Sequence, residues 1–369
     1  MMASDQASAG QITPEELQLA TRNHGQPLEG LRHPITPVGM HYLLIHYDVP
    51  RVDAAAWRLE VGGAVERPLS LSLDDVRGRR AITAPVTFEC AGNGRALLDP
   101  RPLSQPWLLE AVGTGAWTGT SLADLLAEAG VADDAVEVLF TGLDRGVEGE
   151  IEQCYARSLP VAEARREEVL LAWGLNGAPL PPQHGFPLRL VVPGWYGMTN
   201  VKWLSRITVL REPFAGYQNA RGYRLRQTAD EEGEPVARMM VRALMVPPGI
   251  PDFATRRRFV ASGTQRLEGR AWSGSGDIAA VEVSADGGAT WEPAELGASA
   301  GPHAWRRWTF EWTPRSVGEY ELCCRATDTA GNRQPAAPPW NLGGYANNAI
   351  QRIPVTVVTA GSDPLTDPV

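Results

Sequence analysis

At 369 residues, with a formal net charge of −9, the chain has room for roughly two or three domains. It is too acidic to serve as a general nucleic-acid or anionic-membrane surface. Thirty prolines and 38 glycines demand many turns, which fits β-rich architecture better than a helical bundle. No apolar run reaches the roughly eighteen residues a membrane-spanning helix needs.

The N-terminus, MMASDQASAGQITPEELQ, has neither a basic n-region nor an apolar h-region, so a cytoplasmic protein is expected, or a periplasmic one if a leader is removed ahead of it. Residues 1–20 read as a flexible segment in which Thr13-Pro14-Glu15-Glu16 marks a capped helix start. His41 to Tyr47 has the composition of a strand, with His46 near its end, where a histidine is ordinarily a satisfied polar group. Trp57 to Val61 alternates apolar with charged as a half-exposed strand does, and Ser72 starts a short helix through Val76.

Val86, Thr87 and Phe88 are strand formers that stop at Cys90, and the chain then turns through Gly92-Asn93-Gly94 to Arg95. This places Cys90 at a strand end, facing a cleft, among residues small enough for a bulky ligand to approach the backbone. A thiolate suits a soft or high-valent metal, and the Arg95 guanidinium could hold a planar oxyanion through two hydrogen bonds. The alternative is a buried structural cysteine followed by an ordinary turn.

Ser121 to Gly130 has an N-cap, helical apolar spacing and a terminal glycine, which predicts a helix. Val136 to Thr141 is a strand ending at Gly142-Leu143-Asp144, and a short helix is expected over Val161 to Arg166. Strands mixed with short helices make this first domain α+β. Glu168 to Trp173 is another strand, followed by the turn dipeptide Asn176-Gly177. Between Pro179 and Ile207, His184, Arg189 and Lys202 lie on glycine-punctuated irregular sequence, the composition of an anion pocket; the alternative is a set of exposed loop charges. From about residue 235, short strands recur with turn signals between them, which predicts an immunoglobulin-like β-sandwich.

Cysteines at 90, 154, 323 and 324 form no CxxC pair and no CxxCH, so neither a zinc ribbon, a c-type haem nor a disulfide framework is expected. Adjacent Cys323 and Cys324 should face opposite sides of a strand as packing residues. Two other functions fit these residues: a non-catalytic sandwich that binds a partner, and a hydrolase using Cys90 with His184.

The motifs TFECAGNGR and PQHGFPLRLVVPGWYGMTNVKWLSRI, the Trp57-to-Val76 passage, Val283 to Gly288 and Trp340-Asn341 together resemble the sulfite oxidase family of molybdenum-cofactor enzymes over nearly the whole length. The resemblance implies a flexible segment over 1–20, a molybdopterin-binding catalytic domain over 21–232 and a dimerisation-type sandwich over 233–369. It implies that Cys90 gives molybdenum its single protein thiolate, that His46, Asp144, His184, Arg189 and Lys202 contact the pterin or its phosphate, and that Tyr223 lies beside the metal. Arg95 then matches a substrate-anion arginine and Trp107 a cleft-lining tryptophan. The implied reaction is a two-electron oxygen-atom transfer involving a small oxyanion or another oxygen-atom donor or acceptor. Electrons would leave singly to an external carrier, without a haem domain in the chain, and a homodimer would form through the second domain.

Three positions depart from the family pattern. Leu44 and Gly343 stand where sulfite-oxidising members carry arginine, and Gly222 where an acid often precedes the tyrosine. Each lost charged hydrogen bond removes roughly 1.5–3 kcal/mol of anion affinity, so weak sulfite oxidation is expected, and arginine restored at 44, alone or together with 343, should tighten sulfite where it reaches the cleft without disturbing packing.

Overall fold

The computed structural model describes residues 12–359. Helix Pro14–Arg22 opens with a capping box: the Glu16 amide donates to Thr13 Oγ1 at 3.2 Å and the Thr13 amide to Glu16 Oε2 at 3.0 Å. Glu16 is buried and paired with Arg101, so the described part of the expected flexible segment is pinned to the body; residues 1–11 of that segment lie outside the described residues.

Two sheets build the first half. One orders the strands Leu69–Leu71, Leu59–Gly63, Leu204–Leu210, Glu137–Glu148 and Ile151–Pro160. Its apolar face packs on helix Leu122–Ala129, whose buried Leu122, Leu125, Leu126 and Ala129 form the i, i+3, i+4, i+7 stripe. Ser121 caps that helix and Gly130, at φ +70, ends it. The other sheet pairs Ile82–Glu89 with Val112–Ser121 and that strand with Leu170–Leu175, which also takes Ala178–Pro179 and Arg189–Val191. Asn176 and Gly177, both at positive φ, make the tight hairpin.

Two expectations fail locally. His41 to Tyr47 is not a strand, because the Ile45 amide donates to the Asn23 side chain at 2.7 Å and Lys202 Nζ takes the Leu44 carbonyl at 2.8 Å, leaving one isolated bridge between Leu43 and His24. His46 therefore projects from irregular backbone. The helix expected to Arg166 is one turn, Val161–Ala164.

In the second half, Arg242–Met245, Gln265–Trp272, Arg306–Trp312 and Glu295–Ser299 form one sheet in that order. Ile250–Pro251, Arg258–Ala261, Gln351–Val358, Gly318–Asp328, Ile278–Ser284 and Glu292–Pro293 form the other. Both contribute to one core: Met245, Leu267, Trp308 and Trp312 from the first, Val260, Val283, Leu322 and Val355 from the second. Cys324 lies in this core, while Cys323 meets Arg352 on the opposite face, and both are free. A separate apolar cluster joins the halves, setting Ala91, Tyr196 and Tyr223 against Met239, Leu244, Trp272 and Trp305. Among the described residues no helix is long and apolar enough to cross a membrane.

Candidate active site

Strand Ile82–Glu89 ends one residue before Cys90. The Cys90 amide donates to the Ala111 carbonyl at 2.9 Å, and its own carbonyl accepts from the Asn93 amide at 2.9 Å. Of the expected turn residues only Gly94 takes positive φ, at +90. Gly92 serves differently: a Cβ there would lie 2.6 Å from the Arg95 guanidinium, so glycine is what lets Arg95 fold back over the loop. Cys90 is 7% exposed and lines two adjoining cavities. Burial pushes its thiol above the ordinary value against the pull of nearby Arg95, so a thiolate at this position calls for a strong Lewis acid.

The inner cavity gathers His46, Asp144, His184, Arg189 and Lys202, all five of the expected cofactor contacts besides Cys90. His184 ends the turn Pro182–His184, and Gly185, at φ +107, seats that turn against Lys202 and Arg189, where a Cβ would meet both side chains at 3.0 and 3.2 Å. Arg189 lies against the stacked rings of Phe88 and Trp117, with its charged carbon 5.0 and 4.7 Å from their centroids. It donates to the carbonyls of His184 and Asn200, each at 3.0 Å. Lys202 donates to the carbonyls of Leu44 at 2.8 Å and Gln183 at 3.1 Å; Trp203 beside it adopts φ +49 and anchors its indole on the Pro182 carbonyl. Asp144 occupies a bulge between Thr141 and Arg145 in its strand, which turns the side chain inward.

Charge in this cavity is crowded and under-compensated. Burial, with Arg189 alongside, lowers Lys202 to about 7, and burial lowers Arg189 to about 10. Burial, reinforced by His41 and the two cations, takes His184 to about 2. The carboxyl of Asp144 is raised by burial to about 7 against the attraction of Lys202. Buried His41 Nε2 and Asp144 Oδ1 have no hydrogen-bond partner. Cations packed together with orphaned polar atoms are the wall of a seat for an anion attached to a hydrogen-bonding ring system, and the phosphate and heterocycle of a molybdopterin match that demand. Among the described residues no three His, Cys, Asp or Glu side chains cluster to hold a metal, so a metal at Cys90 would take its remaining ligands from the pterin and solvent.

The outer cavity, about 290 Å³, is the mouth. Arg95, Trp107 and Tyr223 all line it, as expected. Arg95 spends Nε on the Gly343 carbonyl at 2.9 Å and Nη1 on the Gln105 carbonyl at 3.1 Å, with its charged carbon 5.1 Å from the Tyr345 ring centroid. Tyr223 follows the turn Gln218–Gly222 and its hydroxyl meets His46 Nε2 at 2.5 Å. Arg157 lies over the Tyr223 ring, 5.4 Å from its centroid. Burial raises the Tyr223 hydroxyl well above its ordinary value, so it stays protonated.

Sequence reasoning missed His41, Tyr155, Asn200, Glu148 and Tyr345, which line one cavity or the other. Of these only Asn200 falls in a motif, within PQHGFPLRLVVPGWYGMTNVKWLSRI, and Tyr345 comes from the far domain. The departures also read differently here. Leu44 does line both cavities, so its replacement changes the wall directly. Gly343 does not simply leave room for an arginine: a Cβ there would lie 2.3 Å from Tyr345 Cε2, so an arginine at 343 would have to displace the Tyr345 ring.

The profile of the oxidoreductase molybdopterin-binding domain matches residues 46–218, and that of the Mo-co oxidoreductase dimerisation domain matches residues 236–358. The chain is 37% identical over 346 residues to the mitochondrial sulfite oxidase of Mus musculus, covering 88% of this chain and 62% of that protein. It is 35% identical over 342 residues to the sulfite oxidase of Gallus gallus, covering 86% and 72%. A NAD(P)H nitrate reductase of Hordeum vulgare is 33% identical over 351 residues, covering 88% of this chain and 39% of that protein. Among solved structures, the sulfane dehydrogenase SoxCD of Paracoccus pantotrophus superposes with a TM-score of 0.78 at 25% identity, covering 98% of this chain and 96% of that one. The chain thus spans less than two thirds of the mouse enzyme's length.

Proposed function

Because the chain belongs to the sulfite oxidase family of molybdenum-cofactor oxidoreductases, we propose that it catalyses a two-electron oxygen-atom transfer on a substrate larger and less charged than sulfite, and passes the electrons singly to an external carrier. One observation carries this reading: Cys90 stands where an inner cavity walled by cations opens into a mouth of mixed apolar and polar lining that holds one arginine, Arg95, and one carboxylate, Glu148. The bound cofactor would supply a metal able to take up or release an oxygen atom together with two electrons.

The protein's own part divides between the two cavities. Cys90 would hold the metal. Lys202 and Arg189 would neutralise the phosphate end, neutral His184 would help orient it through a hydrogen bond, and His41, His46 and Asp144 would meet polar atoms of the ring system. In the mouth, Arg95 is the cation among the lining residues and would orient an anionic or polarised oxygen, while Trp107 walls the cleft. Tyr223 Oη and His46 Nε2, at 2.5 Å, are placed to hold or pass a proton. Leu44, Ile45, Val147 and Trp107 make much of the wall apolar, and Glu148 adds a carboxylate, so a compact dianion such as sulfite gains little there.

The same reading divides the chain into a leading segment over 1–20, a catalytic domain over 21–232 and an immunoglobulin-like sandwich over 233–369. The two-sheet core supports the sandwich, and its match to a dimerisation domain supports a homodimer. No haem is assigned to this chain.

The test is metal and pterin analysis of protein produced with molybdenum available, followed by a screen of sulfite, larger organic sulfur oxyanions and S-oxides with an artificial one-electron acceptor. One molybdenum per chain and a preference for the larger compounds are expected. Molybdenum-free protein whose Cys90 is acylated by a carbonyl electrophile would make it a Cys90–His184 hydrolase. Protein with neither property would leave a binding module.

A further inference from the structure

The residue just before Cys90 is a buried acid whose partner comes from the other domain. Glu89 and Arg242 are each 1% exposed, and Arg242 Nη1 donates to Glu89 Oε1 at 2.6 Å. The same carboxylate accepts from Asn93 Nδ2 at 3.0 Å and, through Oε2, from Trp272 Nε1 at 2.8 Å. At the strand's end the side chains of Glu89 and Cys90 point to opposite faces. Cys90 faces the cavities, and Glu89 faces the second domain as its anchor from behind.

Further bonds from that domain hold the rest of the loop. Arg242 Nη1 also reaches the Asn347 carbonyl at 2.8 Å, Asn347 Nδ2 donates to the Gly94 carbonyl at 2.7 Å, and the Ala346 amide donates to the Ala91 carbonyl at 2.8 Å. Arg95 returns a bond to the Gly343 carbonyl at 2.9 Å. As a source of stability alone this arrangement is poor, because Arg242 Nε and Nη2 are buried without partners and a buried ion pair recovers its desolvation cost only when fully bonded. What it does supply is a fixed tie: one guanidinium nitrogen, Nη1, bonds the Glu89 carboxylate and the Asn93 and Asn347 carbonyls together, which references the backbone between Glu89 and Arg95 to the second domain.

We propose that the Glu89–Arg242 pair is a positioning device through which the second domain fixes the orientation of the Cys90 thiol and the place of Arg95. Neither residue is catalytic. The second domain then has a task in the active site apart from dimerisation. The proposal deepens the molybdenum reading above, yet its first test needs no cofactor.

In cofactor-free protein, iodoacetamide alkylation is followed residue by residue by mass spectrometry in wild type, Glu89→Gln, Arg242→Met and Arg242→Lys. Cys323, covered on the outer face of strand Gly318–Asp328 beside Arg352, reports opening of the sandwich. Glu89→Gln and Arg242→Met should raise Cys90 labelling about tenfold while Cys323 stays at its wild-type rate, with Arg242→Lys in between, because local opening is released without unfolding the domain. If Arg242→Met does not fold, Glu89→Gln, which preserves the side-chain volume, carries the test. In molybdenum-loaded enzyme the same variants should alter the Mo(V) resonance, lower kcat and raise KM for an anionic substrate, because the thiol and Arg95 shift together. Unchanged Cys90 labelling, or Cys90 and Cys323 rising together, overturns the proposal even where the protein binds molybdenum normally. Absence of molybdenum from the wild type would instead overturn the functional reading and leave the alkylation result standing.

Discussion

The two cavities that meet at Cys90 are built on opposite principles. Inside, Arg189 and Lys202 crowd positive charge into a buried space beside the neutral His184 and one carboxylate, Asp144, itself driven toward neutrality by burial. Outside, apolar and uncharged polar side chains share the wall with Glu148, and its lining cation, Arg95, is already bonded to two carbonyls and stacked on a tyrosine. The inner set is costly unless an anion completes it, whereas in the mouth the cation, Arg95, is bonded as it stands and only a neutral donor, Trp107 Nε1, is left without a partner among the orphaned buried side-chain atoms. Cofactor chemistry is therefore written into the inner cavity by its deficits, while the mouth constrains a substrate mainly by shape and low charge.

The most severe way to separate the two regions is to change the residue they share. Cys90→Ser should abolish turnover, with a loss of more than about 1000-fold, since a hydroxyl replaces a soft ligand. Pterin should remain, because the anion contacts lie on Lys202, Arg189 and His184. Full activity in that variant would remove Cys90 from the metal. Next comes the cradle itself. Lys202→Ala should lower cofactor occupancy roughly 10- to 100-fold, the worth of a charged hydrogen bond of about 1.5–3 kcal/mol, while leaving the metal's ligand set unaltered. Arg189→Ala should do the same and also lower Tm, since its fork braces the carbonyls of His184 and Asn200. Normal molybdenum content in both variants would take them out of the site.

A smaller effect should appear as a pH dependence confined to the inner region. Burial lowers His41 to about 4 and His184 to about 2, so the unfolded chain, with histidines near 6.5, binds the extra protons. The stability of keeping them neutral is present above pH 6.5 and is lost as pH falls from there through about 4 and below. Cofactor-free protein should lose about 2 kcal/mol or more between pH 7 and 4 from this source. His41→Phe should flatten the curve, as followed by urea titration; identical slopes in wild type and variant would show that other groups govern acid stability.

How far the sequence reveals each region follows the same division. Cys90, Arg95, His184, Arg189 and Lys202 are legible because each lies in a contiguous motif whose local turn, at Gly92 or Gly185, places it. His41 and Tyr155 are silent because their relation to the site exists only after strands distant in sequence pair. The strand expected over His41 to Tyr47 fails for a related reason: composition favours β structure, but Asn23 and Lys202 take two of its backbone groups from outside. The Glu89–Arg242 pair spans 153 residues, and nothing local to Arg242 marks its partner. Gly343 likewise reads as empty space until Tyr345 is seen against it.

The mildest test acts on the mouth alone. Wild-type enzyme should oxidise sulfite with a KM above the ~1 mM that bounds most enzymes on their own substrates. Leu44 lines both cavities through its side chain while its carbonyl is held by Lys202, so Leu44→Arg adds a guanidinium to the cleft without disturbing that bond. The gain is limited by repulsion from Lys202 and Arg95, so a three- to tenfold fall in sulfite KM is expected, about 0.7–1.4 kcal/mol, less than a fully effective charged hydrogen bond. Gly343→Arg should behave oppositely. Its Cβ would push on Tyr345, whose ring packs 5.1 Å from that of Tyr223 and carries Arg95 on its face, so kcat should fall and KM should not improve. Steady-state sulfite oxidation at matched molybdenum content decides both. A wild type already tight on sulfite, or equal gains from the two arginines, would mean that charge in this mouth comes from elsewhere and that its apolar wall does not select the substrate.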